Sequence, residues 1–309
     1  MHTMTLDDLR VFVAVCEARN LSAVARDLSC SQSAVSQHVK RLERETGLLL
    51  LERRPRGVAP TGAGQILYQA AAEGLGGLAA ALRRLDDIRR GVGGTVRIAT
   101  GATTVRHFMS AGVAAFRERH PEVGLAFETA GSSRRCLEAV QTRQADLAWV
   151  TIGPQLDGVE QHASYEMPWV LVARTDDAIA HRETITLADL DGISHIELPE
   201  HATSRVQLEG QLQRHGVRLM PTASVADWDT ALLLAELGLG RAILPALPGW
   251  TYGPGSIVRL IPIPELSPLS AGWAARRWTD LSPLAIEFAE TVLAHLRPGT
   301  PPGPGLLPS

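Results

Sequence analysis

The stretch Asn20-LSAVARDLSCSQSAVSQHVKRLERET-Gly47 decides how the first part of this chain folds. Asn20 is a good N-cap for a short apolar-periodic segment, Leu21 to Leu28. Ser29-Cys30-Ser31 breaks that period, Ser31 can cap a second segment, and Gly47 suits a left-handed exit. The spacing predicts a helix from Gln32 to about Thr46, and two helices around so tight a turn read as helix-turn-helix. At about 100° per residue, Val35, Val39 and Leu42 form one buried stripe. Ser33, Gln37, Lys40 and Arg44 lie roughly opposite, Ser36 and Arg41 flank them, and Gln32 sits in the first turn. Hydroxyls, amides and cations on one face suit the major groove of a duplex, where glutamine reads adenine and Lys or Arg meets guanine or phosphate.

Upstream, Leu6, Leu9, Val11, Phe12, Val15 and Cys16 share one helical face. Downstream, Glu52-Arg-Arg-Pro-Arg-Gly-Val58 follows four leucines and reads as a β-hairpin wing around a basic Pro/Gly turn, with Arg53 and Arg54 as phosphate contacts. Thr61 opens a helical stretch to about Arg90. Its apolar residues Leu67, Ala71, Leu75, Leu78, Leu82 and Leu85 follow a near-heptad step, which calls for a partner helix. Gly74, Gly76 and Gly77 each cost about 1 kcal/mol relative to alanine inside such a helix, so packing must offset them and a local kink has room to form.

Past Gly91 the period changes. Strands at 95–100, 123–129 and 146–150 alternate with helices at 104–119 and 133–142, a βαβαβ order that implies a parallel sheet. A second set follows, with strands at 169–173, 193–198, 218–225 and 242–245 and helices at 204–214 and 228–237. Strands at 257–261 and 269–275 and a helix at 283–296 complete it. Residues 297–309 hold five prolines and three glycines and read as a disordered tail.

Composition narrows the class. The 309 residues are 45% hydrophobic and 20% charged, ordinary for a soluble globular chain. No export signal or membrane span is legible, and three scattered cysteines suit a reducing cytoplasm, so a cytoplasmic location is expected. The net charge of -3 conceals 13 basic against 10 acidic residues in 1–90, and 17 against 23 in the remainder. A basic head on an acidic body suggests that only the head meets a polyanion. The histidines show no H-x-x-x-H pair and no Cys/His cluster has zinc spacing, so neither metal nor cofactor is expected.

Leu9-x-x-Phe12, Ala25-x-x-Leu28, Ser31-Gln-Ser-Ala-Val-Ser36, Leu42-Glu43, Gly47 and Thr61-x-Ala63-Gly64 together resemble the N-terminal domain of LysR-type transcriptional regulators. Asn20 and Leu21 stand where that family usually has serine and phenylalanine; Leu51 and Pro60 replace a phenylalanine and a leucine around the wing. Farther on, Ala145-Asp-Leu-Ala148, Gly238-Leu-Gly240 and Leu244-Pro245 resemble the family's effector domain. The resemblance implies an α/β chain in four parts. A winged helix-turn-helix (1–61) is followed by a linker helix (62–91), a two-lobed domain like periplasmic binding proteins (92–296) and the tail. It further implies binding to two half-sites in double-stranded promoter DNA, a homodimer through the linker helix, assembly into a homotetramer, and RNA polymerase as a partner.

In such two-lobed sheets ligands sit beyond the C-terminal strand ends. That rule and the family pattern nominate Thr100, Thr103, Thr104, Ser132 and Thr151 from the first lobe, with Thr203, Ser204 and Asp229 from the second. Hydroxyls at helix starts favour a small anionic effector, to which Arg106 and His107 would add charge. Cys136, near a helix start, is a candidate low-pKa thiol sensor without an evident resolving partner. An enzyme is the chief alternative, but G-x-S-x-G, Walker A and Rossmann glycine patterns are absent, so no enzymatic activity is expected. A transport-type solute binder would lack the basic head, and an architectural DNA binder would lack the two-lobed body.

Overall fold

In the computed structural model, which describes residues 4–55, 57–90, 94–101, 103–248, 250 and 255–296, helix α1 (Leu6–Ala18) starts from a capping box between Thr5 and Asp8. Asn20 then caps α2 (Leu21–Asp27) through Ser22 N and Ala23 N. Ser31 caps α3 (Gln32–Thr46), and Gly47 ends it at φ +70°. Val35, Val39 and Leu42 of α3 are buried as the wheel requires. Val35 packs with Val11, Val15, Val24 and Ala25, and Leu42 with Phe12, Cys16 and Leu50. The wing is an antiparallel pair, β1 (Leu51–Arg54) with β2 (Gly57–Pro60), in which Arg53 faces Val58. Leu51 and Pro60 form its first rung, so both departures from the family pattern are accommodated.

Helix α4 (Gly62–Arg90) runs unbroken through Gly74, Gly76 and Gly77. Gly64 is required near its start, because a Cβ there would sit 1.9 Å from the Leu50 carbonyl oxygen. The apolar seam divides in two. Ala71 is buried and Leu67 packs against the α1–α3 core, whereas Leu78, Leu82 and Leu85 are 42%, 56% and 62% exposed.

The chain divides after Arg90 into a second unit made of two lobes. β3 (Thr95–Thr100) enters a π-helical turn, Val105–Met109, before α5 (Ser110–Arg119). The helix expected from 104 to 119 is therefore wider in its first turn. β4 (Gly124–Thr129), α6 (Ser133–Gln141) and β5 (Leu147–Thr151) follow, and β3 pairs in parallel with both β4 and β5. β6 (Glu160–Met167) is a strand that the sequence pattern missed: five of its eight residues are exposed at the sheet edge, so no apolar period marks it.

The chain then crosses to the second lobe. There β7 (Trp169–Arg174), the single-turn α7 (Leu187–Leu190), β8 (Ser194–Glu197), α8 (Thr203–Arg214), β9 (Met220–Ser224), α9 (Trp228–Glu236), β10 (Ala242–Pro245) and β11 (Val258–Pro262) succeed one another. β7 lies between β10 and β11, antiparallel to both, and β8 runs parallel to β9. The last strand, β12 (Leu269–Ala275), returns to the first lobe and inserts between β5 and β6, antiparallel to each. The first sheet is therefore mixed, in the order β4-β3-β5-β12-β6, and not wholly parallel. Helix α10 (Pro283–His295) packs on α5 so closely that a Cβ on Gly112 would lie 2.6 Å from Val292 Cα. Phe116 of α5 and Phe288 of α10 share one core with Trp149 of β5 and Trp273 of β12. Among the described residues no helix is long and apolar enough to cross a membrane. The Pro/Gly-rich tail from 297 lies outside the described residues.

Candidate functional site

Two sites are built by separate parts of the chain. The first is the outer face of α3 with the wing. Gln32, Ser33, Gln37, Lys40 and Arg44 are exposed, and Ser36 is half-buried beside them. Gln32 accepts a hydrogen bond from the Ser22 hydroxyl at 3.2 Å, which ties the tip of α3 to α2. Arg53 and Arg54 project from β1, and Arg54 pairs with the exposed carboxylate of Glu52 on the same strand. Arg53 is thus the freer cation of the two. Glu43, inside the family-like motif, turns back and accepts hydrogen bonds from Leu50 N at 3.0 Å and Leu51 N at 3.4 Å, so α3 itself holds the entry to the wing.

Arg41 does not share the outer face. Its Nε and Nη2 donate at 2.9 and 2.6 Å to Oδ1 of Asp8, whose side chain is fully buried on α1. Nδ1 of His38 meets the same oxygen at 2.7 Å, and Thr5 donates its N–H and hydroxyl to Oδ2. Burial alone would raise the Asp8 carboxyl, but the bonds from Arg41, Thr5 and His38 outweigh it and hold the group well below the usual carboxylate range. Neither the Thr5 capping box nor the convergence of α1 and α3 on one carboxylate was read from the sequence.

The second site is a cavity of about 320 Å³ between the lobes. Thr103, Thr104, Ser132, Thr151, Thr203 and Ser204 all line it, as do Ser133 and Trp228. Their elements bring them together because β3, β4 and β5 end at one edge and α8 and α9 begin opposite. Two hydroxyls are already engaged: Ser133 Oγ accepts from Thr151 N at 3.2 Å, and Ser132 Oγ accepts from Arg135 N at 3.3 Å. Ala202 stands at the N-cap of α8 and offers no side-chain acceptor, so the first N–H groups of that helix are uncapped at the cavity wall. The indole N–H of Trp149, in the same wall, has no hydrogen-bond partner among the described residues. Among the described residues lining the cavity the only charged one is Asp227, and its carboxylate caps α9 through Thr230.

Four expected participants, Thr100, Arg106, His107 and Asp229, lie elsewhere. Thr100 is fully buried and its hydroxyl donates to the Trp149 carbonyl at 3.2 Å, bracing β3 against β5. Asp229 sits one residue past the cavity wall and pairs with His107 Nε2 at 2.7 Å, so both of these groups serve a link between lobes. Arg106 is exposed and outside the lining. Cys136 does line the cavity, but burial pushes its thiol up to about 12, opposite to what a thiolate sensor needs. Phe108, Trp149 and Leu198 supply apolar wall that sequence reading missed. β5 is buried on both faces, so no alternation singled out Trp149.

Residues 6–65 match the family model described as bacterial regulatory helix-turn-helix protein, lysR family, and residues 89–297 match the LysR substrate binding domain. The regulator BudR of Raoultella terrigena is 31% identical over 263 residues, which cover 81% of this chain and 90% of BudR. The crystal structure of CbnR, a LysR family transcriptional regulator, superimposes with a TM-score of 0.61 at 21% identity, covering 95% of this chain and all of CbnR. Full-length CbnR complexed with its target DNA gives 0.53 at 22% identity, over 94% and 98% of the two chains. With both halves of its length matched, this chain belongs to the LysR family of DNA-binding transcriptional regulators, whose C-terminal domain binds an effector.

Proposed function

We propose that a small carboxylate-bearing effector occupies the cavity between the lobes and alters how strongly the chain holds promoter DNA. In this reading α3 and the wing contact the duplex through Gln32, Ser33, Ser36, Gln37, Lys40, Arg44, Arg53 and Arg54. The observation that carries the carboxylate is the donor set. Uncapped N–H groups at the start of α8 and the hydroxyls of Thr203, Ser204, Thr103 and Thr104 line one cavity, and the Asp227 carboxylate in the same lining is turned to Thr230 as the cap of α9. Phe108, Trp149, Trp228 and Leu198 would cover an apolar remainder, and the volume suits a metabolite of modest size. Leu78, Leu82 and Leu85, bare on α4, support pairing of two chains through that helix, which would present two copies of α3 to two half-sites. Control of DNA binding then requires that the effector bind two conformations with different affinity.

A thermal-shift titration of the full chain with small carboxylic acids and their matched amides tests the effector. An acid should raise Tm where its amide does not, and a ligand at about 100 times its Kd adds about 2.7 kcal/mol. Thr203→Val should diminish the shift. Stabilisation by neutral or cationic compounds alone would refute the carboxylate. Footprinting with and without a stabilising acid then reads the change in promoter binding.

A further inference from the structure

Helix α3 carries three cations, Lys40, Arg41 and Arg44, and treats one of them differently. Lys40 and Arg44 stand on the exposed face, whereas Arg41 is turned against the fully buried carboxylate of Asp8. Asp8 accepts two hydrogen bonds from Arg41 and two from Thr5, and His38 Nδ1 lies 2.7 Å from both the Asp8 carboxylate and Arg41 Nη2. A buried ion pair is a poor way to gain stability, since apolar residues of similar volume often serve as well or better. Its charge arithmetic points to another use. A guanidinium on a recognition helix attracts the phosphates of any duplex alike, and such contacts carry no sequence information. Paired one-to-one with Asp8, Arg41 presents no net charge to phosphate even though its Nη1 hydrogens remain unbound to Asp8.

We propose that Asp8 is a positioning residue for specificity: it withholds Arg41 from the DNA backbone, lowering affinity for random sequence so that the base-reading groups on the outer face of α3 decide more of the binding. This rests on the reading that the outer face of α3 meets the duplex.

The test uses the full chain at pH 8, a fluorescein-labelled random-sequence duplex of about 40 base pairs, and a potassium chloride series, with log Kd plotted against log salt. Asp8→Asn keeps the shape and removes the charge. It should steepen the slope by about 0.9 for each released guanidinium, equivalent to about eightfold tighter random-sequence binding at 0.1 M salt. The double variant Asp8→Asn/Arg41→Gln should return to the wild-type slope. A single variant whose slope is unchanged or flatter would overturn the proposal, as would a double variant flatter than wild type, because Arg41 would then already be on phosphate. Should Asp8→Asn fail to fold, the double variant alone decides by the same criterion. Lys40→Ala serves as the control and should flatten the slope by about 0.9. No response there would overturn the placement of α3 on DNA, a failure distinct from an unresponsive Asp8.

Discussion

The Nε2 atom of His107 lies 2.7 Å from Oδ1 of Asp229, joining the π-helical turn of one lobe to the start of α9 in the other. The same imidazole meets Trp250 edge-on, with ring centroids 5.9 Å apart. His107 is the more buried partner, with 10% of its side chain exposed against 32% for Asp229.

This link should behave as one coupled unit. His107→Ala and Asp229→Ala are each expected to lower the stability of the second unit by about 1–2 kcal/mol, and the double variant by less than their sum. Chemical denaturation of the three variants measures the coupling. Strict additivity would mean that the two groups do not hold the lobes together.

At the DNA face, Arg53→Ala should flatten the salt dependence of binding by about 0.9, as expected for one lost phosphate contact. Arg54→Ala should flatten it less, because Glu52 already pairs with that guanidinium. Gln37→Ala should leave the slope unchanged and relax base preference at one position of the half-site. Equal slopes for both arginine variants would show that the Glu52 pair opens on DNA.

His195 supplies a pH dependence. It lies on β8, 6% exposed, and burial lowers its imidazole to about 4. An unfolded imidazole takes up its proton near pH 6.5, so between that value and about pH 4 the unfolded chain holds one proton more than the folded one. Stability therefore falls on acidification through this window. His195→Leu should remove about 3 kcal/mol of that fall at most. Urea melts at pH 7 and pH 4.5 check it; parallel losses in both proteins would contradict the assignment.

The bare leucines of α4 predict self-association. Leu82→Arg should reduce the sedimenting mass of the chain at micromolar concentration while leaving the far-UV helical signal in place. It should also weaken binding to a two-half-site promoter more than binding to random sequence. A variant of unchanged mass would exclude this face as the contact.

Much of this architecture was legible. Asn20 marks the observed start of α2, and Ser31 and Gly47 mark both ends of α3, because caps are local chemistry, settled by a side chain and the nearest amides. The hydroxyls Thr103, Thr104, Ser132, Thr151, Thr203 and Ser204 fell on one cavity because strand ends in alternating α/β order must converge. What escaped was long-range. The Asp8–Arg41 pair joins residues 33 apart, and the His107–Asp229 pair joins residues 122 apart. Thr100, one residue short of the turn, looks like its neighbours in sequence, yet the pleat directs its hydroxyl inward to β5. β6 escaped for a third reason, since an edge strand with most of its residues in solvent carries no hydrophobic period.

The late return of β12 imposes an order on synthesis. The first lobe's sheet is missing a middle strand until residues 269–275 have left the ribosome, although its other four strands have emerged by Met167. A nascent chain stalled or truncated after β6 would expose one flank of β5 as an unpaired edge and leave β6 without its sheet neighbour, both open to a neighbouring polypeptide. The wing strands close by Pro60 and the helix-turn-helix core is completed by Leu67 of α4, so that domain can settle early. The sensory half of this regulator thus matures in the reverse sense to its translation, with the keystone of its first lobe delivered nearly last.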